Sequence, residues 1–482
     1  MFWRGVLGYL PVNIVQAVAG FGSIVVFTRL LPPDAYGAYA LAFSVTALVQ
    51  TCLFTWIEAA MARFYLVETT PQGRADLFAT LYRTFAVMSV AAPLVAVAIL
   101  LLLPLSAPLK WAIGAGLASV IVRSLLKMAQ ERRRAAGAVR GFAVFDIVQT
   151  GGAFLIGAGL ARLGCGGASP LAGVGLASLA CLPWALPSEL ATARGGRFEW
   201  ARLRDYASYG LPISLSLLLA LALSTTDRFV LAGFLNEASV GAYHAGYSLS
   251  NRSLDVVFIW LGMAGGPAAV AALERGGVAA LKRVAHDQAS LMLLVALPAS
   301  AGLALVAQPL AHLMVGPALA GSAARVTPWI ALSALFAGVT TYYLHTAFTL
   351  SRRTGRLMLA MAAPALANLA LTLLLIPRFG LDGAMWATTA SYALGMVAAF
   401  ALGRGALALP VPWTTLGRAA LATAIMSALV ARAPASGGVG EVLLKAALGV
   451  VVYALAAVAL DTAGVRSLGL PRLAAFRAGR IA

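Results

Sequence analysis

The sequence predicts an all-α, polytopic integral membrane protein of about fourteen transmembrane helices, built as two parallel six-helix halves around a central cavity plus two C-terminal helices. Three observations predict it: a nearly unbroken series of apolar stretches, connections alternately rich and poor in arginine, and a motif that returns after 204 residues. Of the 482 residues 61% are hydrophobic and 11% charged, with a mean hydropathy of +0.89. Folding in water would leave more apolar surface than one chain could hide, so lipid is the solvent.

The stretches run 9–30, 36–66, 77–103, 108–133, 141–162, 170–190, 206–235, 238–266, 284–310, 324–350, 354–376, 383–402, 412–432 and 440–462. Most hold the roughly 20 apolar residues that a helix needs to cross about 30 Å of hydrocarbon, and the longer ones protrude or tilt. Gly and Pro inside them are compatible with helix, because neighbours in a bundle re-satisfy the freed backbone groups. One arginine, Arg4, precedes the first stretch without a cleavage site, which reads as an uncleaved first helix. Cys52 and Cys181 lie in apolar stretches and Cys165 in a Gly-rich outer loop, giving neither a disulfide framework nor metal spacing.

The formal charge of +18 would suggest nucleic acid in a soluble protein, but here the positions of the basic residues decide. With the N-terminus inside, 26 of the 35 Lys and Arg fall on inner tails, loops and helix ends. Among them are Arg63, Arg123, Lys127, the run Arg132, Arg133 and Arg134, Arg202, and the tail residues Arg466, Arg472, Arg477 and Arg480. Only seven fall outside: Arg29, Lys110, Arg162, Arg325, Arg378, Arg432 and Lys445. Arg228 and Arg252 sit within helices. Both termini are therefore expected to be cytoplasmic. The triple-arginine run reads as a positive-inside anchor, and no nucleic-acid partner is expected.

Leu31 to Tyr39 reads LPPDAYGAY and Leu235 to Tyr243 reads LNEASVGAY, so Gly37, Ala38 and Tyr39 recur as Gly241, Ala242 and Tyr243. Leu10, Pro11 and Val12 resemble Leu211, Pro212 and Ile213, and Leu171, Gly173 and Ala177 are echoed by Leu381, Gly383 and Ala387. Three matches in order at similar offsets make a repeat. Six helices separate the copies, so both halves enter from the same side, a parallel repeat of the kind that holds a substrate site between its halves. This divides the chain into an N-terminal lobe at 1–190, a cytoplasmic linker at 191–205, a C-terminal lobe at 206–402, and two further helices with a basic cytoplasmic tail at 403–482.

In the eighth stretch His244, Tyr247, Ser248, Asn251, Arg252 and Asp255 follow helical spacing and form one stripe. Arg252 lies about 20 Å below the outer helix end, too deep for easy snorkelling. An arginine there is costly against lipid, so the stripe is expected to face a wet cavity. The alternative is that Arg252 and Asp255 neutralise each other and lock the helix, which would not need the whole stripe. The seventh stretch carries Ser224, Thr225, Thr226, Asp227 and Arg228, read either as outer cavity lining or as an Asp and Arg reaching the outer interface. Arg29 is expected to anchor headgroups. Glu58 and Arg63, five apart, do not share a face and each needs its own partner. The positions equivalent to the stripe in the first half are Ala40, Phe43, Ser44, Ala47, Leu48 and Thr51, which predicts a cavity apolar on one wall and cationic on the other.

All four lysines follow leucine, so there is no P-loop, and neither HExxH nor a nucleophile elbow occurs. No catalytic residue, metal site or cofactor is expected. His244, Asp227 and Asp255 are the candidates for coupling to a proton or sodium gradient, and their spacing does not choose between these and structural pairing.

LPPDAYGAY, EAAMARF from Glu58, TDRFVLAGFL from Thr226, VGAY from Val240 and IPRFGLDGA from Ile376 together resemble the Wzx-type oligosaccharide flippase (polysaccharide biosynthesis) family of the multidrug/oligosaccharidyl-lipid/polysaccharide (MOP) superfamily, over nearly the whole chain. The resemblance implies a flippase of the bacterial cytoplasmic membrane that moves polyprenyl-diphosphate-linked oligosaccharide, an O-antigen, capsule or exopolysaccharide unit, to the outer leaflet by alternating access. It also implies a cationic cavity whose diphosphate contacts fall on Arg252 and Arg228, with membrane lipids, and a glycan polymerase or glycosyltransferases, as partners. The rivals are a cation-coupled multidrug exporter and a lipid II flippase of the same superfamily. A membrane-embedded glycosyltransferase would want a large outer loop bearing carboxylates, and the outer loops here are short.

Overall fold

Hydrocarbon offers no partner to a backbone N–H, so a chain this apolar can cross it only as helix or closed barrel. The computed structural model describes residues 2–466, and all of their regular structure is helical. The end of the basic tail, with Arg472, Arg477 and Arg480, lies outside the described residues. Contacts divide the chain into two compact units, 1–244 and 245–482.

The first unit opens with α1 (Phe2–Leu30), α2 (Pro33–Leu53) and α3 (Thr55–Val67). Pro33 starts α2 at a position where its missing N–H is no loss. The stretch expected at 36–66 is α2 and α3 together, broken at Phe54, whose ring is fully buried against Phe85 with centroids 4.8 Å apart. Then follow α4 (Pro71–Leu102), α5 (Ala107–Ala135), α6 (Val139–Arg162), α7 (Ser169–Ala185), α8 (Pro187–Arg194) and α9 (Trp200–Phe234). Thr70 and Ser106 cap α4 and α5, their hydroxyls accepting from the N–H groups of Gly73 and Leu109. α1 packs on α6, α6 on α7, and α9 lies along α2 and α3. Phe54, Trp56, Ile57, Leu77, Leu81 and Tyr206 form the core at one end. Exposed Leu94, Leu101, Val148, Leu155 and Trp184 give the outer faces the apolar surface that lipid requires.

α10 (Glu237–Leu305) begins in the first unit and continues into the second, which also holds α11 (Ala307–Met314), α12 (Pro317–Val339), α13 (Thr346–Leu350), α14 (Thr354–Arg404), α15 (Trp413–Val430) and α16 (Gly438–Ala459). Twelve continuous helices of membrane length occur among the described residues, rather than about fourteen, and the difference lies in α10 and α14. At 69 residues α10 would be a rod of about 100 Å, three times the hydrocarbon thickness. It is instead a hairpin. Gly277 breaks it at φ 63°, ψ −160°, and a Cβ on Gly265 would stand 2.0 Å from the Gln288 side chain, so the two arms lie against each other. Leu254 and Phe258 of one arm share a core with Ala289, Met292 and Ala296 of the other. α14 does the same at Gly380 (φ 58°, ψ −128°), with Gly395 against Pro364. Both backbone conformations are ones that only glycine adopts without strain. The arms correspond to the stretches expected at 238–266 and 284–310, and at 354–376 and 383–402.

Candidate functional site

The repeated motif is where the first unit is tightest. A Cβ on Gly37 of α2 would stand 1.7 Å from the Glu237 carbonyl oxygen, and one on Gly241 of α10 would stand 2.5 Å from the Pro33 carbonyl oxygen. Each would also lie 3.1 Å from the backbone nitrogen of the other glycine. The two copies of Gly-Ala-Tyr thus meet each other, reciprocally, through the one residue that lets two backbones touch.

Beside this crossing lies a buried polar cluster. Asp227 is 0% exposed; it takes a 2.5 Å hydrogen bond from the Tyr243 hydroxyl and a 2.8 Å bond from the Arg228 N–H. Arg228 Nη1 donates to Ser44 Oγ at 3.2 Å, and the His244 ring packs 5.6 Å from Tyr36 and 5.9 Å from Tyr39. Asp227 and Arg228 therefore neither reach an outer interface nor line an open space. A lone buried carboxylate is costly, and the tyrosine hydroxyl is one of the groups that make this one tolerable. Tyr243→Phe is expected to destabilise the detergent-solubilised protein by about 1–3 kcal/mol in thermal unfolding. An unchanged midpoint would mean that this hydroxyl does not stabilise Asp227.

The stripe on α10 is not one open row. His244, Tyr247 and Ser248 are buried, Asn251 is half-buried, and Arg252 and Asp255 are exposed. Nor do Arg252 and Asp255 lock each other: Asn251 Nδ2 holds the Asp255 carboxylate at 2.6 Å, and no ion pair to Arg252 within 4 Å occurs among the described residues. Arg252 shares its exposed face with Val256, Ile259, Trp260 and Met263. Arg29 is also exposed, its guanidinium donating to the Val25 carbonyl.

The charged cavity lies elsewhere, within the first unit. A space of about 390 Å³ opens between α3, the last turns of α5, and α9, lined by Thr55, Glu58, Arg63, Lys127, Glu131, Arg134 and Tyr209 together with Ala59, Ala62, Leu66, Ile213 and Leu217. Glu58, only 3% exposed, pairs with Lys127 Nζ at 2.9 Å, and Glu131 pairs with Arg134 Nη2 at 2.9 Å. Both contacts are close but off-axis, so neither Glu58 oxygen nor Glu131 Oε2 receives a well-aligned hydrogen bond among the described residues. Arg123, twelve residues and about 18 Å from the end of α5, lies within electrostatic reach of Glu58. It sits near mid-span rather than at a helix end.

The positions equivalent to the stripe, Ala40, Phe43, Ser44, Ala47, Leu48 and Thr51, do not line this cavity. Its charges come from α3 and α5, not from the positions that match the stripe. Glu58 and Arg63, five residues apart, nonetheless line one cavity. The depth reasoning applied to Arg252 would have found Arg123 and Lys127. The run Arg132, Arg133 and Arg134 is likewise more than an anchor: Arg132 and Arg133 both pair with buried Glu189, and Arg133 lies 4.6 Å over the Phe145 ring. Among the described residues no group of His, Cys, Asp and Glu is arranged to hold a metal ion.

The family model described as polysaccharide biosynthesis protein matches residues 26–323. No curated protein matches the chain. Among solved structures, the lipid II flippase MurJ in an inward closed conformation aligns at TM-score 0.78 and 12% identity, covering 95% of this chain and 99% of that one. An inward-facing multidrug resistance MATE family transporter of the MOP superfamily aligns at 0.66 and 14% identity, over 82% and 94%. The MATE multidrug transporter DinF-BH aligns at 0.60 and 13% identity, over 84% and 95%. At these identities the likeness establishes the fold alone, one shared with these three structures.

Proposed function

The chain belongs to the polysaccharide biosynthesis protein family, and from that premise we propose that it is a flippase for polyprenyl-diphosphate-linked oligosaccharide, carrying it from the inner to the outer leaflet of the bacterial cytoplasmic membrane by alternating access. The single observation that carries the cargo reading is the cavity of the first unit, where Arg63, Lys127 and Arg134 face one space at the helix ends that the charge alternation assigns to the inside. A diphosphate cannot cross hydrocarbon unaided, so a carrier must offer fixed positive groups to the head while the polyprenyl tail stays in lipid. Arginine suits this role because its planar fork matches phosphate oxygens. Exposed Arg252 is kept as a second contact. Buried Arg228, bonded to Ser44, is assigned to holding the helices together. Coupling to a proton or sodium gradient through His244, Asp227 or Asp255 belongs to the same proposal, as do glycosyltransferases and a glycan polymerase as partners.

Binding of geranylgeranyl diphosphate to the purified protein tests the cargo. The expected result is saturable binding that weakens with salt and falls about tenfold in Arg63→Gln, the loss of one charge-assisted contact. Arg252→Ala is expected to reduce surface polysaccharide in cells that depend on this protein, and Arg252→Lys to restore part of it. Saturable binding of the lipophilic cation ethidium, with none of the diphosphate, would replace this reading with multidrug export.

A further inference from the structure

The charged cavity contains its own counter-ions, and their placement is one-sided. In each of its two ion pairs the carboxylate is the deeper member: the side chain of Glu58 is 3% exposed against 41% for Lys127, and that of Glu131 is 15% against 55% for Arg134. The acids are the buried members of the pairs and the cations the accessible ones. A phosphate in this space would find Lys127 and Arg134 the more accessible groups and would compete with the carboxylates already paired to them. Both contacts are off-axis, so the acids hold the cations by charge without saturating their hydrogen bonds.

We propose that Glu58 and Glu131 are positioning residues for the unloaded carrier: when the cargo leaves they re-pair with Lys127 and Arg134, which speeds release and lets the empty cavity close without unpaired cations. The inference rests on the cargo reading above. The physical reason is the cost of burying charge. A loaded site is compensated by the diphosphate. An emptied one that kept three bare cations would resist closure into low dielectric, because burying unpaired charge is costly, and the return step would stall. Two acids reduce the uncompensated charge of Arg63, Lys127 and Arg134 from three to one. They also act as an internal competitor, so the site trades affinity for turnover.

The prediction is a split between binding and rate. Glu58→Gln and Glu131→Gln are near-isosteric and remove the competing charge. Each is expected to tighten geranylgeranyl diphosphate binding about three- to tenfold. Each is also expected to slow multiple-turnover translocation of a fluorescent polyprenyl-diphosphate sugar in proteoliposomes, and to slow it more than the first turnover from preloaded protein, which involves one release and no return of the empty carrier. Glu58→Asp, which keeps the charge, is expected to restore turnover. A purely structural role for the acids would weaken binding and slow the first and later turnovers alike. That outcome, or unchanged affinity with unchanged cycling, would overturn the proposal. If Glu58→Gln fails to fold, Glu131→Gln alone carries the test, since its side chain is more open. Wild-type protein that does not bind the diphosphate at all sinks the cargo reading itself, whereas wild-type binding with no tightening in either variant sinks only the role of the acids.

Discussion

Gly37→Ala is expected to destabilise the protein by about 3 kcal/mol or more, the upper range for overpacking a close contact. Its new methyl would sit 1.7 Å from the Glu237 carbonyl oxygen. That obstacle is backbone, so no side-chain rotation relieves it, and α2 and the start of α10 must separate. Gly241→Ala meets the Pro33 carbonyl oxygen at 2.5 Å and is expected to follow with a smaller loss. Gly321→Ala is the control, because nothing lies within 4 Å of that site and alanine favours helix by about 0.5–1 kcal/mol. Thermal unfolding in detergent ranks the three. If Gly37→Ala unfolds no earlier than Gly321→Ala, the two Gly-Ala-Tyr copies are not in contact.

The second large effect is expected at Glu189. Its side chain is wholly buried, accepts from Arg132 Nε at 2.9 Å and from the Tyr82 hydroxyl at 3.4 Å, and lies 3.7 Å from Arg133 Nη1. Glu189→Gln removes the one negative charge these two arginines share. Breaking a buried pair from one side costs about 3–5 kcal/mol, because the remaining charge is left uncompensated. The exposed pair Arg325 and Asp382 offers the comparison: Arg325→Gln cuts a contact of 2.7 Å in full view of solvent and is expected to leave the midpoint in place. Equal losses at the two sites would show that Glu189 is not the buried counter-ion described here.

Hydropathy made the membrane-length helices legible, because each is a local property of some twenty residues. The recurrence of Gly-Ala-Tyr was legible too, and the structure shows what its glycines do: Gly37 and Gly241 are the places where backbone meets backbone. Gly277 and Gly380 could be placed in connections but not recognised as the tight breaks of two hairpins, since a single left-handed glycine leaves no periodic trace. The candidate site was read least well. The stripe on α10 follows helical spacing faithfully, yet spacing cannot say which neighbour covers which turn, and His244, Tyr247 and Ser248 proved buried while Arg252 did not. Lys127 and Glu58, far apart in sequence, meet only through the packing of α3 on α5. Nothing local records that meeting.

The reciprocal contact between the duplicated motifs has a consequence for descent. Two copies of one segment ordinarily drift apart, each tuned to its own neighbours. These two are each other's neighbour, so bulk acquired at position 37 or at position 241 collides with the partner copy, and neither position is free to change without regard to the other.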